Sequence, residues 1–330
     1  GEIFHLDIVT GAISRIEPSS GEGAIAGPPA ILSATGCFAE LGATLVPADG
    51  VLSYEVAQPF WSDGAQKQRF LSLPEDTAFT VTEDGDWELP AGGVLIKHFR
   101  VADTNIETRF FVRYMNGAYG AYTYKWTTAD EAELVEAEGE DVTLADGQVW
   151  RLPSRNECRQ CHTARAGYSL GLETRQMNID HYYAQTGRTA NQFATLAALN
   201  MVQGDVTSLP PFPALDDVMA ELDERAQSYI HVNCSSCHRG TGGSQSIWDA
   251  RYQTPLAEKG LCLTEPLTPV TDRQPEYYVN PGDHLSSSIW WRVHIRGAQQ
   301  MPPIGSNQVD SQGAALLAQW IDSLSAEECE

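Results

Sequence analysis

The chain has 330 residues, of which 42% are hydrophobic and 20% charged, and its formal net charge is -23 at pH 7. This length exceeds what one hydrophobic core usually serves, so two or three domains are expected. The acidic balance excludes electrostatic binding to nucleic acid or anionic lipid and favours a basic protein as partner. No apolar run is long enough to predict a membrane-spanning helix.

Residues 1–150 are predicted to form a β-rich domain. Two alternating arms flank Asn116-Gly117 in "ETRFFVRYMNGAYGAYTYKWT", which is a strong hairpin signal. Earlier strands are expected in "DGDWELPAGGVLIKHFRV", and the Gly- and Pro-rich "SSGEGAIAGPPA" is expected to be irregular. Asp63-Gly64 in "QPFWSDGAQKQRF" is interpreted as a structural turn.

Two short clusters share one pattern, "CRQCHTA" at 158–164 and "CSSCHRG" at 234–240. A structural zinc site, a redox dithiol and covalent haem attachment compete to explain such cysteine pairs. A zinc site does not require a histidine directly after the second cysteine. A redox dithiol follows a strand and starts a helix, and neither cluster has that setting. A c-type haem uses both thiols for thioethers and the histidine as proximal iron ligand. The sequence therefore predicts two covalently attached haem c groups, held by Cys158, Cys161, His162 and by Cys234, Cys237, His238.

The same chemistry predicts where the protein works. Covalent haem attachment is normally completed outside the cytoplasm, and the chain starts at Gly1 without a methionine. We therefore expect a periplasmic or extracellular protein, exported with its leader removed. In an oxidising compartment Cys262 and Cys329 are candidates to pair, although Cys37 is an equally open partner.

Each six-coordinate iron needs a second axial ligand, usually His or Met. For the first haem, His98 and Met177 are the main candidates. His98 shares one side of a predicted strand with Ile96, and that side is expected to be buried. Met177 follows His162 closely in "LGLETRQMN". The remaining candidates are His181, Met201 and His231.

Two helices are predicted around the second cluster. One begins near Pro213 in "FPALDDVMAELDERAQSYIHVNC" and leads into the cluster; the other is capped by Asp310 or Ser311 and closes the chain. The first helix is expected to carry an apolar stripe of Leu215, Val218, Leu222, Ala226 and Tyr229.

This arrangement resembles the small class I cytochrome c domain, in which the first and last helices cross. In that fold a loop just before the last helix supplies the distal methionine. The stretch "MPP" followed by a glycine and a terminal Trp-Ile helix looks like that loop. The resemblance implies that Met301 is the sulfur ligand of the second haem.

Most of the chain also resembles a largely uncharacterised family of bacterial di-haem c-type cytochromes with a β-rich N-terminal region. The similar stretches run from "LSATGCF" through "PFWSDGAQKQRF", "VLIKHF", "ETRFFVR", "YTYKW", "LPSRNECRQCHTARAGYSLGLETRQMN" and "NCSSCH" to "MPPIGSNQVD". The family pattern favours His98 over Met177 and implies electron transfer.

The expected fold is therefore an α+β multidomain protein. Residues 1–150 form the β-rich domain, 151–212 the first haem-binding region and 213–330 a class I cytochrome c-like domain with the second haem. Both haem regions are expected to be mostly α-helical.

The expected function is electron transfer between redox proteins, without catalysis. Sulfur ligation should raise the potential of the second haem, so electrons would pass from the first haem to the second. Two alternatives remain: a di-haem peroxidase with one open haem site, and a subunit of a polymeric haem conduit, for which a homo-oligomer or filament is expected. The arginines near the clusters, Arg155, Arg159, Arg175 and Arg292, are candidates to offset haem propionates or to serve the surface.

Overall fold

The computed structural model describes residues 3–6, 13–16, 27–203, 209–240, 248–273 and 275–329. The Gly- and Pro-rich segment at 19–30 lies mostly outside the described residues. The strands in chain order are β1 (Ile3–Leu6), β2 (Ile13–Ile16), β3 (Phe38–Glu40), β4 (Val46–Pro47), β5 (Leu52–Tyr54), β6 (Gln66–Ser72), β7 (Phe79–Val81), β8 (Trp87–Glu88), β9 (Val94–Val101), β10 (Thr104–Arg113), β11 (Tyr119–Trp126), β12 (Ala132–Leu134), β13 (Glu140–Thr143), β14 (Val149–Leu152), β15 (Asp180–Tyr183), β16 (Arg188–Asn191) and β17 (Val202–Gln203).

Helices make up only 23% of the described chain, so the prediction of two mostly α-helical haem regions is wrong. The first of these regions contains short helices and a hairpin of β15 and β16, in which Asp180 pairs with Asn191. Within the described residues, no helix is both long and apolar enough to cross a membrane. The α-helices are α1 (Arg155–Cys161), α2 (Thr174–Met177), α3 (Gln192–Ala198), α4 (Leu222–Cys234), α5 (Ser288–His294) and α6 (Ser311–Ser323).

A six-stranded antiparallel sheet in the order β12-β11-β10-β9-β6-β5 forms the centre of the N-terminal half. The hairpin predicted at Asn116-Gly117 is confirmed, since β10 and β11 pair from Glu107 opposite Lys125 to Arg113 opposite Tyr119. Because side chains alternate along each strand, the sheet presents two different faces. Both of these faces are covered by other parts of the chain.

One face packs into a closed apolar core through Phe70, Ile96 and Phe110. The opposite face carries Leu71, Leu95 and Phe111, which pack against side chains from the region after the first cluster. These contributors, Leu172, Met177, Phe193, Leu196 and Val202, share one core with the sheet. We call residues 27–203 the sheet unit.

Residues 209–329 form the second unit, here called the C-terminal unit, around a core of α4, α5 and α6. The helix predicted at the chain end is confirmed, and the carboxylate of Asp310 caps it by accepting from the N–H of Gly313 at 2.9 Å. The helix before the second cluster starts later than predicted, at Leu222 rather than near Pro213. Val218, expected on its apolar stripe, is 82% exposed, because the segment ahead of α4 forms turns instead.

α4 packs against α6, and Gly313 permits their close approach. A Cβ atom at position 313 would overlap the ring and hydroxyl of Tyr229 on α4. This glycine lies inside a helix, where alanine is normally the more stable residue. The close contact with Tyr229 therefore explains a glycine at this position.

Gly313→Ala is expected to lower the free energy of unfolding by about 1–3 kcal/mol through overpacking. Helix propensity alone would raise it by about 0.5–1 kcal/mol, so the sign of the change decides between the two effects. Urea denaturation measures it, with the exposed Gln312→Ala in the same helix as control. Stabilisation by Gly313→Ala would show that α4 and α6 do not pack as closely as described.

Candidate functional site

The first cluster lies on α1, which a capping box starts. The hydroxyl of Ser154 accepts from the N–H of Glu157 at 3.1 Å, and the Glu157 carboxylate accepts from the N–H of Ser154 at 2.7 Å. Cys158 and Cys161 are three residues apart on this helix and therefore lie on one side of it. His162 is the C-cap residue of α1, and its N–H donates to the carbonyl of Cys158 at 3.0 Å.

The imidazole of His162 is oriented by a backbone carbonyl. Its Nδ1 lies 2.6 Å from the oxygen of Tyr168. A carbonyl only accepts, so Nδ1 carries the proton and Nε2 keeps its lone pair for a metal ion. The ring stacks on Phe111 with centroids 4.3 Å apart. Burial, aided by Lys97, lowers the pKa of His162 to about 3, which keeps the imidazole neutral at physiological pH.

The second cluster begins at Cys234, the last residue of α4, and continues into the turn that follows. The N–H groups of Cys237 and His238 both donate to the carbonyl of Cys234, at 3.1 and 2.9 Å. The His238 ring stacks on Trp248, a core residue of the C-terminal unit, with centroids 4.3 Å apart. Burial, with a smaller contribution from Arg292, lowers the pKa of His238 to about 4, so this imidazole is also neutral.

The fold brings the two clusters into contact. The thiols of Cys161 and Cys237 interact directly, and Cys237 Sγ lies 3.8 Å from the carbonyl oxygen of Gln160. Arg239, directly after His238, holds the units together here by pairing with Asp86 of the sheet unit at 2.6 and 3.1 Å. The sequence predicts each cluster separately, but their contact follows only from how the two units pack.

A cavity opens between the two units beside the first cluster. About 1330 Å³ of its space is free of protein atoms, part of it open to solvent. The volume in which a water-sized sphere can be centred is about 170 Å³, which is below the roughly 300–1,000 Å³ of ordinary small-molecule sites. The first cluster lines this cavity, as do four cationic side chains of the central sheet, Lys67, Arg69, Lys97 and Arg109.

His98 lies on the other face of the sheet, away from the first cluster. Its Nδ1 is 2.9 Å from the hydroxyl of Thr108, and its Nε2 is 3.1 Å from the side-chain oxygen of Asn105. The residue is fully buried, as predicted, and its ring packs against Trp126. Both ring nitrogens are thus bonded within this core, and ligation of an iron by His98 stays a prediction.

Met177, the weaker candidate, is also fully buried. It packs in the core of the sheet unit with Trp87 and Phe193. Its neighbour Gln176 lines the cavity, whereas the Met177 side chain does not. The structure therefore places neither predicted ligand of the first haem in the cavity beside His162.

Met301 lies in the loop before α6, close to residues that act on the second cluster. Its N–H donates to the carbonyl of Arg292 at 2.8 Å. Arg292 also contributes to the lowered pKa of His238. The structure thus places Met301 beside Arg292, and ligation by Met301 stays a prediction.

Asp63 ties the sheet unit to this loop. The predicted turn forms, with Asp63 at φ 50°, and its buried carboxylate accepts from the N–H groups of Asn307 at 2.7 Å and Gln308 at 2.8 Å. Trp61 adds a bond from its indole N–H to the Gln308 carbonyl at 3.0 Å, and its own N–H donates to Asn233 on α4 at 2.9 Å. The turn was predictable from Asp-Gly, but the two residues that donate to Asp63 lie 244 and 245 residues away in sequence.

A buried pair of His231 and Glu173 also lines the cavity, and sequence reasoning missed its importance. His231 Nδ1 accepts from the N–H of Tyr252 at 3.0 Å, so Nε2 carries the proton and donates to Glu173 at 2.9 Å. His231 therefore has no lone pair left for a metal ion. One signal in the sequence could have revealed this role. His231 lies three residues before Cys234 on α4, so both side chains lie on one side of the helix.

Cys262 and Cys329 form a disulfide with their Cα atoms 5.7 Å apart, which is one of the pairings considered from the sequence. Cys37 keeps a free thiol, whose pKa is raised by burial. Comparisons with protein-family models, with curated proteins and with solved structures found no match to this chain.

Asp63→Asn is expected to lower the free energy of unfolding by about 1–3 kcal/mol, because an amide replaces the buried carboxylate that accepts from two backbone N–H groups. Urea denaturation measures the loss, and hydrogen exchange at 301–308 should accelerate. Asp49→Asn makes the same change at an exposed position and serves as control. Equal midpoints for the two variants would contradict a role for Asp63 in holding the loop.

Proposed function

We propose that this chain is a di-haem c-type cytochrome that transfers electrons between redox partners outside the cytoplasm. The observation that carries the proposal is the meeting of two Cys-x-x-Cys-His clusters at the contact between the units, with the first on a cavity wall. Two haems attached there would be close neighbours, which favours the passage of electrons from one to the other.

The residues of the first site fit a haem in three respects. Both thiols and the imidazole come from one helix end. His162 Nε2 is the lone-pair nitrogen, because Nδ1 is engaged by Tyr168. The cavity beside them is lined by cationic side chains, which suit the two carboxylates of a haem. The second site offers the same donor set in Cys234, Cys237 and His238.

When bound, each haem supplies a one-electron ferric–ferrous couple. The chain holds the group covalently through its cysteines, supplies neutral imidazoles from His162 and His238, and excludes water with aromatic rings. Ligation by Met301 would raise the potential of the second haem. The disulfide of Cys262 and Cys329 supports an oxidising compartment, and the acidic chain favours a basic redox partner.

Haem content tests this proposal directly. Mass spectrometry of the unfolded protein, produced in a periplasm with haem-attachment machinery, should show the chain plus two haems. The double variant Cys158→Ala/Cys161→Ala should lose one haem, and Cys234→Ala/Cys237→Ala should lose the other. Cys37→Ala, outside both clusters, should keep two. A wild-type mass equal to that of the amino acids alone would refute the proposal.

A second candidate function, a di-haem peroxidase, is favoured by one specific observation. It requires an open position at one iron and a proton-transfer group beside it. Neither His98 nor Met177 lies in the cavity with His162, whereas Glu173 and His231 do. Reduction of peroxide to two waters consumes two electrons and two protons, and Glu173 can take and return a proton at its carboxylate.

In that case the ferric protein should show a high-spin signal in electron paramagnetic resonance, and hydrogen peroxide should rapidly oxidise the reduced protein. Glu173→Gln should slow that oxidation by about 10²–10⁴-fold, because it removes the proton acceptor. The exposed Glu75→Gln is the control and should leave the rate unchanged. Low-spin signals alone, with no reaction with peroxide, would exclude the peroxidase and leave the electron carrier.

A further inference from the structure

Three cations lie side by side across the central sheet. Lys97 on β9 is the register partner of Arg69 on β6 and of Arg109 on β10. Like charges directly opposite each other on neighbouring strands destabilise a sheet. Lys67 adds a fourth cation on the same face, two residues before Arg69. Neighbouring cations of this kind are stabilised only if negatively charged groups lie close to them.

The two arginines have their own carboxylates. Arg69 pairs with Glu55 at 2.8 Å, and Arg109 Nη2 donates to Glu107 at 2.8 Å. Glu107 is fully buried and also accepts from the indole N–H of Trp150 at 2.9 Å. The lysines of this row differ, because they form no ion pair with a carboxylate, although Glu55 and Asp310 act on Lys67 from a greater distance.

Lys67 and Lys97 donate only to backbone carbonyls. Lys67 Nζ bonds to the oxygen of Phe60, and Lys97 Nζ lies 3.2 Å from the oxygen of Leu170. In the part of the chain that the structure describes, neither lysine pairs with a carboxylate. Burial is the main cause that lowers the pKa of Lys97 to about 7 and that of Lys67 well below its ordinary value. Ammonium groups that are partly buried and form no ion pair are costly, so two of them together indicate an anionic ligand.

Both lysines line the same cavity as the first cluster, and each is partly exposed. Lys97 and Arg109 are near enough to Cys161 to act on it electrostatically. The arginines suggested by the sequence for haem propionates, Arg155, Arg159, Arg175 and Arg292, do not line this cavity. The central sheet supplies four of the cationic side chains in the cavity lining, and Arg151 and Arg239, which pair with Glu157 and Asp86, supply two more.

We propose that Lys67, Arg69, Lys97 and Arg109 form a binding site for a pair of carboxylates, filled in the assembled protein by the two propionates of the first haem. The number of groups agrees, since two lysines without carboxylate partners face one cavity and a haem carries two propionates. This inference rests on the haem proposed at Cys158 and Cys161. A free dicarboxylate is the other source of the same chemistry.

Redox titration of the holoprotein tests the site, using Lys67→Met and Lys97→Met. Removing a cation beside the propionates favours the ferric iron, so each variant should lower the potential of the first haem. The expected shift is about tenfold in the ferric–ferrous equilibrium, or about 59 mV for one electron. Lys97→Arg keeps the charge and should keep the potential. Lys125→Met, at a surface ion pair with Glu140, is the control and should shift it much less.

Calorimetry with succinate distinguishes the two carboxylate sources. If propionates fill the site, the wild-type holoprotein binds no succinate and the potentials shift as stated. If a free dicarboxylate fills it, succinate binds to wild type and binding is lost in the Lys67→Met/Lys97→Met double variant. Unchanged potentials together with no succinate binding would overturn the inference. The chain mass reports haem attachment separately, so failure of the haem proposal is distinguishable from failure of this site.

Discussion

The central sheet buries both of its faces, but in different surroundings, and the rest of the molecule depends on that difference. Strict alternation along β6, β9 and β10 sends Phe70, Ile96 and Phe110 into a closed apolar core. The same alternation places Lys67, Arg69, Lys97 and Arg109 on the face toward the first cluster. Shifting any of these strands by one residue would exchange the two sets and leave charges in a sealed core. The register of the sheet is therefore also what defines the cavity.

Directional contacts between charged or polar side chains join the two units. Arg239 pairs with Asp86, His231 donates to Glu173, and the Asp63 carboxylate accepts from the loop before α6. Each of these pairs joins a residue of the sheet unit to one of the C-terminal unit. Bonds of this kind are directional, so they fix orientation more sharply than apolar packing alone. The β-rich half therefore supplies residues to the candidate site and is not only its support.

The sequence predicts what local patterns determine. The hairpin at Asn116-Gly117, the terminal helix and its cap at Asp310 all follow from turn chemistry and helical spacing. The helical character of 151–212 was overestimated, because its hairpin and short helices are stabilised by packing on the sheet. Alternation correctly placed His98 on a buried side, but both sides of β9 are covered and pattern alone cannot tell which one faces the first cluster. The roles of Glu173 and Asp63 depend on partners far away in sequence.

The contact between Cys161 and Cys237 imposes an order on biogenesis for the attachments proposed above. These two sulfurs face each other where the units join. A maturation enzyme must reach both of them, together with a bulky porphyrin, before that junction closes. If haems are attached at both clusters, the two units would have to stay apart until both attachments are complete.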